Sequence, residues 1–142
     1  MTIETLADRI AICELKARYC GLLGTKQWDA WSNLFTEDFA LDTSEAGGPP
    51  PIAGRDEALA SVRAFIEAAR TVHHVHAPEI SIDRNIAHGI CAMQDRVVLG
   101  AGPSLTGYGH YTETYVKRDG TWRIAASKLA RLFIDFKEAE AA

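Results

Sequence analysis

Val116-Lys117-Arg118-Asp119-Gly120-Thr121-Trp122-Arg123-Ile124 decides how the second half of the chain folds. Asp119-Gly120 stands between two runs rich in Tyr, Thr, Val, Trp and Ile, and a tight primed turn needs positive φ at such a pair. A β-hairpin is predicted. The same β-branched and aromatic excess occupies residues 72–82, 87–99, 108–117 and 121–135, with Asp83-Arg84-Asn85 and Ala101-Gly102-Pro103-Ser104 as further breaks. Four successive strands with short connections predict an antiparallel meander.

The first half follows a helical period. Ile3, Leu6, Ile10, Cys13, Ala17 and Cys20 stand three or four residues apart, which predicts a helix over the first 23 residues with that stripe inward. A narrower second row, Ile12, Leu15, Tyr19 and Leu22, predicts a helix covered on two sides. Thr5, three residues before Asp8, is the expected first-turn cap, and Gly24-Thr25 the expected end. A shorter helix is expected from Asp29 to Phe35, with Asp29 capping its exposed amides and Trp31, Leu34 and Phe35 inward. Residues 39–42 read as a short strand, and the run Gly47-Gly48-Pro49-Pro50-Pro51 as a loop, since proline fixes φ and removes a donor. Arg55 to Ala69 reads as a third helix with Leu59, Val62, Phe65, Ile66 and Ala69 apolar. This order describes an α+β architecture, a curved sheet folded around helices.

At 142 residues, 47% apolar and 24% charged, the chain fits one domain spanning 1–142. No stretch approaches the run of about 18 apolar residues that a membrane span requires. Glu4, Asp8 and Arg9 argue against a secretory leader, so a cytoplasmic location is expected. The net charge of −4 and the scattered Lys and Arg form no basic stripe, which argues against a nucleic-acid partner. Cys13, Cys20 and Cys91 lack the close-set pairing of zinc or redox sites and read as small buried hydrophobes.

Ala11-Ile12-Cys13-Glu14-Leu15-Lys16-Ala17-Arg18-Tyr19, Trp28-Asp29-Ala30-Trp31, Leu34-Phe35, Gly54-Arg55-Asp56-Glu57-Ala58, His73-His74-Val75-His76 and Arg118 to Ile124 together resemble the SnoaL-like branch of the nuclear-transport-factor-2-like (NTF2-like) proteins. The likeness covers nearly the whole chain. It implies a cone in which a strongly bent antiparallel sheet wraps N-terminal helices around a central apolar pocket. Members include scytalone dehydratase, lindane dehydrochlorinase, bile-acid dehydratases, polyketide cyclases and ketosteroid isomerases. The resemblance therefore implies a cofactor-independent lyase or isomerase, in which side chains remove a proton next to a leaving group or carbonyl. The substrate class it suggests is a small hydrophobic hydroxylated or carbonyl compound such as a steroid or polyketide. The fold also hosts binding and assembly modules, so a non-catalytic small-molecule-binding or assembly protein is the alternative. A homodimer or larger homo-oligomer is expected in either case.

The resemblance places the general base at His73, and an imidazole, with an unperturbed pKa near about 6.5, suits proton removal. Neighbouring strand residues face opposite sides, so only one of His73 and His74 lines the pocket directly, and His76 shares a side with His74. His74 and His76 alternate as two metal ligands would, but no nearby acid or cysteine completes a set, and no metal is expected. In the dehydratase and dehydrochlorinase an aspartate near the end of the first helix orients the base. Alignment through Trp28-Asp29 puts Gly24 there instead. Three alternatives stand open: support from Asp42, Asp95 or Glu113; a weak base helped by a hydrogen bond from Tyr19 to a substrate oxygen; or loss of catalysis.

Along Tyr108 to Tyr115, alternation sets Tyr111, Glu113 and Tyr115 on one face and His110, Thr112 and Thr114 on the other, with either face able to line the cavity. Asp95 and Arg131 are mid-strand charges, which calls for a cross-strand pair, an interface contact or a substrate anchor. The expected catalytic set is His73, Tyr19 and His74; the expected substrate-binding set is Leu41, Asp42, Phe65, Met93, Asp95, His110 and Tyr111.

Overall fold

The computed structural model describes residues 1–139, so the expected domain end at 142 lies outside the described residues. In chain order the elements are α1 (Ile3–Gly24), α2 (Trp28–Ser32), β1 (Phe35–Asp42), a 3-10 turn at Ser44–Ala46, β2 (Ile52–Ala53), α3 (Arg55–Ile66), β3 (Arg70–Val75), β4 (Glu79–Asp83), β5 (Ile86–Val98), β6 (Ser104–Arg118) and β7 (Thr121–Lys137). Seven strands form one mixed, mostly antiparallel sheet in the order β2-β1-β7-β6-β5-β3, with β4 also on β5. This is the α+β, NTF2-like architecture, with the helices on the concave side of a curved sheet.

The β6–β7 hairpin closes as its sequence predicts. Arg118 pairs with Thr121 across the turn, and Asp119 and Gly120 both take positive φ, 52° and 76°. Register shifts at Tyr108/Gly109 and Thr114/Tyr115 bend this ribbon, as bulges do. The meander holds for β5, β6 and β7 but not for the segment at 72–82. His76-Ala77-Pro78 interrupts it, and the two pieces lie end to end along β5, β3 against residues 93–98 and β4 against residues 86–90. Strand β1 starts at Phe35 and runs parallel to β7, so α2 stops at Ser32 rather than continuing to Phe35. The cap expected at Asp29 is also corrected: Gln27 is the N-cap of α2, without a side-chain cap bond, and Asp29 lies in the first turn.

Helix α1 buries the row expected to be the narrower one. Ile12, Leu15 and Leu23 are fully buried, whereas Ile3, Leu6, Ile10 and Cys13 are exposed. Both rows satisfy a helical period, and contact with β3 and β7 selects between them. The cap is also one turn earlier than expected. Thr2 accepts the Thr5 amide at 3.1 Å, which frees Asp8 to accept from Trp122 Nε1 at 2.8 Å and Lys117 Nζ at 3.0 Å. Those bonds tie the start of α1 to the hairpin and hold the Asp8 pKa below its usual value, the Trp122 bond contributing most.

The main core gathers Ile12, Leu15, Leu23, Trp31, Phe35, Phe39, Tyr115 and Ile124. Each such side chain contributes about 1.5–3 kcal/mol on burial. Phe65 lies off the inward row of α3, which is Ala58, Leu59 and Ile66, and is 61% exposed. Its expected place in the pocket lining is therefore corrected. Among the described residues no helix is long and apolar enough to cross a membrane.

Candidate active site

Strand β3 alternates Thr71, His73 and Val75 inward with Val72 and His74 outward. The His73 side chain is 9% exposed and borders a cavity of 470 Å³ between α1, β3 and the β3–β4 connection. Opposite His73 on β5 stands Asp95. Its Oδ2 is 3.8 Å from His73 Nε2, and Arg131 of β7 grips both its oxygens at 2.7 and 2.8 Å in the forked geometry that suits a guanidinium. Gly107, paired with Asp95 on β6, makes this possible: a Cβ there would fall inside the Arg131 guanidinium and against Asp95 Oδ1.

His73 Nδ1 is buried without a hydrogen-bond partner. Burial pushes the imidazole pKa down to about 4; Asp95 opposes that shift, and Lys16, Lys26 and Arg131 add to it. The ring is therefore neutral at pH 7 with a lone pair to offer.

Lys16 completes the site. Only 2% exposed, it projects from the buried row of α1 into the cavity wall. Its Nζ is 3.0 Å from Glu113 Oε1 and lies 3.7 Å and 4.3 Å from the ring centroids of Tyr19 and Tyr111. Glu113 also accepts from Tyr115 Oη at 2.8 Å and Ser127 Oγ at 2.7 Å. Burial, the largest single influence, opposes the ammonium charge, but Glu113 together with Tyr19 and Cys91 outweighs it and raises the Lys16 pKa. A lysine in a helical run normally reads as solvated, which is why the sequence reading passed over it. The signal was Glu113, flanked by Tyr111 and Tyr115 on one strand face: a buried carboxylate needs a cation, and Lys16 is the cation on the buried row of α1.

The sequence-selected residues divide accordingly. His73 and Asp95 meet, and Tyr111, Glu113 and Tyr115 form the inward face of β6. Tyr19 and Tyr111 stand behind Lys16 with hydroxyls 3.5 Å apart, so the cavity wall is Lys16 rather than Tyr19, and burial raises both phenol pKa values. Met93 packs with Cys91, Tyr111 and Leu129 behind the cavity. His74 and His76 are exposed and border the mouth. The other three lie elsewhere. Leu41 pairs with β2 at the edge of the main core, Asp42 accepts the Ser44 amide and hydroxyl in a local turn, and His110 is on the outer face of β6.

The cysteines differ from expectation too. Cys13 is exposed and Cys20 half-buried; with buried Cys91 they border the cavity. Burial pushes the Cys91 thiol up to about 11 and raises that of Cys20, so both are neutral, soft lining groups. Gly24 ends α1 beside β3, where an added Cβ would meet the Thr71 carbonyl at 3.5 Å, an ordinary contact. A side chain at this position is therefore not excluded by steric contact. Among the described residues no group of three or more His, Cys, Asp or Glu side chains is placed to hold a metal ion.

A family model for the SnoaL-like domain matches residues 4–128, and the chain belongs to that family. Three of the solved structures that resemble it illustrate the likeness. The Kfla4162 protein of Kribbella flavida is 24% identical, with a TM-score of 0.86 over 92% of this chain and 95% of that one. A candidate scytalone dehydratase from Novosphingobium aromaticivorans is 23% identical, with a TM-score of 0.82 over 100% and 95%. A type 2 hexachlorocyclohexane dehydrochlorinase, LinA, is 17% identical, with a TM-score of 0.84 over 99% and 95%. At these identities the likeness is one of fold.

Proposed function

We propose that the protein is a lyase or isomerase that runs acid–base chemistry with its own side chains on a small hydrophobic hydroxylated or carbonyl compound, of steroid or polyketide type. The observation that carries this is His73: neutral, in the cavity wall, with an unpartnered Nδ1 and the Asp95–Arg131 pair behind Nε2. Names borne by neighbours of the same fold, dehydratase and dehydrochlorinase, support the class.

His73 takes a proton from carbon next to a carbonyl. The C–H electron pair moves into the C–C bond and the carbonyl π pair onto oxygen, where the Lys16 ammonium offsets the negative charge. The enolate then re-forms its carbonyl and expels a β-hydroxyl, which leaves as water with the proton from His73; alternatively that proton returns to a different carbon and the double bond shifts. A base with pKa about 4 is weak. Each lost pKa unit withholds about 1.4 kcal/mol of driving force, so help at the oxygen is required, and the proposal assigns it to Lys16, which lines the same cavity. Tyr19, expected to donate to substrate, takes the positioning role: its ring holds Lys16. Ala17, Val75, Ala77 and Pro78 supply apolar walls.

His73→Ala, checked for an unchanged circular-dichroism spectrum, is expected to abolish turnover of a responsive compound from a panel of hydroxylated steroids and aromatic polyketides. Undiminished turnover would overturn the assignment.

Gly24, where relatives carry the orienting acid, favours a second reading, a ligand-binding or assembly protein without catalysis. Saturable binding of panel compounds with no conversion would support it. In either reading the partner copy is expected at the far end of β7, where Leu132, Phe133, Ile134 and Phe136 are all exposed, so that both faces of the ribbon lack cover. Sedimentation should show an oligomer that Phe133→Asp dissociates; a monomeric wild-type protein would contradict this.

A further inference from the structure

A second cavity, of 260 Å³, lies between the start of β1, the first turn of α3 and the β6–β7 hairpin. It is remote from the first. Asp95 of the His73 site pairs with Gly107, and Arg118 lies eleven residues further along β6, about 35 Å of strand. Three guanidiniums, Arg55, Arg118 and Arg123, line this cavity against one carboxylate, Glu37.

The hairpin register explains how two of them meet. Val116 pairs with Arg123 and Arg118 with Thr121, so Arg118 and Arg123 occupy diagonal positions on one face of the ribbon. Like charges there repel unless an anion joins them. Arg55 reaches in from α3, its Nε engaged by Asp56, and Arg123 spends its Nε on the Asn33 carbonyl at 3.3 Å, leaving its terminal nitrogens uncommitted. Arg118 makes no side-chain hydrogen bond among the described residues, and its charge helps hold the Asp38 pKa down. A separate observation points the same way. The Thr36 hydroxyl lines the cavity and its residue is 4% exposed; it stands close enough to the Asp38 carboxylate to help hold that pKa down but falls short of full hydrogen-bond geometry, so its donor is not saturated.

We infer that this cleft binds a small oxyanion of the phosphate class, held by Arg118 and Arg123 with Arg55 opposite and the Thr36 hydroxyl donating from the floor. A phosphate dianion offers the several acceptors that guanidinium donors and one hydroxyl require, and guanidinium–phosphate bonds are among the stronger charge-assisted ones. The inference is independent of the His73 chemistry.

The test is titration of the full-length protein with inorganic phosphate at constant low ionic strength, followed by amide and arginine Nε–H shifts. Succinate and chloride serve as separate arms, because a carboxylate could occupy the same donors. Saturable shifts confined to residues 33–37, 55, 118, 121 and 123 are expected, with phosphate stronger than succinate and chloride silent. R118Q/R123Q should weaken phosphate binding at least about tenfold and T36V several-fold, and R118Q alone, at an exposed position, should weaken it with the melting temperature unchanged. No saturable shift at tens of millimolar phosphate, or equal affinity in R118Q/R123Q, would overturn the inference; stronger binding of succinate would reassign the cleft to carboxylates.

Discussion

His73 Nε2 stands 3.8 Å from Asp95 Oδ2 while Arg131 already holds both oxygens of that carboxylate. The acid nearest the proposed base is therefore committed to a cation, and the pair as a whole offers His73 little charge. That is why burial prevails and the imidazole stays neutral.

Arg131→Gln should reverse the balance. It removes one cation that disfavours imidazolium and releases Asp95 toward His73, so the His73 pKa is expected to rise from about 4 toward or beyond its ordinary value. Histidine ring shifts followed against pH measure it directly. An unchanged pKa would mean that Asp95 and His73 do not interact. Breaking the pair should also cost up to about 3 kcal/mol of stability at pH values where His73 stays neutral, and less where the imidazolium takes the place of Arg131 beside Asp95.

The depressed His73 pKa also sets a pH dependence. Between the ordinary value and about 4 the unfolded chain binds a proton that the folded chain refuses, so stability falls as pH drops through that window and the penalty is absent above it. The contribution is about 3 kcal/mol when complete. Urea unfolding of the wild type at several values from pH 7 to pH 4 should show this loss, and His73→Gln should flatten it. Identical slopes in the two proteins would exclude His73 as the origin.

Two glycines make a controlled contrast. Gly107→Ala drives a Cβ into the Arg131 guanidinium and Asp95, and about 3 kcal/mol or more of destabilisation is expected. Gly21→Ala, in the last turn of α1 with open space around its Cβ, should be neutral or stabilise by up to about 1 kcal/mol. Thermal melts of the two variants decide it.

Lys16 and Glu113 should behave as a unit. Glu113→Gln leaves a buried ammonium without its counter-charge and removes one of the two oxygens that accept from Tyr115 and Ser127, with an expected cost of about 3–5 kcal/mol. Lys16→Met combined with Glu113→Gln should cost less than the sum of the single changes. A double-mutant cycle measures the coupling, and additivity would show that the two charges do not depend on one another.

Much of this fold is written locally. The Asp119-Gly120 turn, the helical periods and the inward position of Tyr111, Glu113 and Tyr115 as a set all follow from neighbouring residues. What escapes local reading is the choice between equally periodic options. The exposed Ile3-Leu6-Ile10 stripe and the buried Ile12-Leu15 row of α1 are both helical, and only contact with the sheet selects one. The parallel pairing of β1 with β7 joins segments far apart in the chain, so no local pattern encodes it. The site shows the same division. His73 is marked by its motif, and Asp95 and Arg131 by being charges in mid-strand, whereas Lys16 is disguised by a residue type that usually points to water.

The central claim, that neutral His73 removes the substrate proton, is tested most directly by the pH dependence of solvent-deuterium incorporation into a bound carbonyl compound from the panel. Exchange should rise as pH increases through about 4, level off toward neutrality, and disappear in His73→Gln. Exchange that persists in His73→Gln with the same pH profile would contradict it.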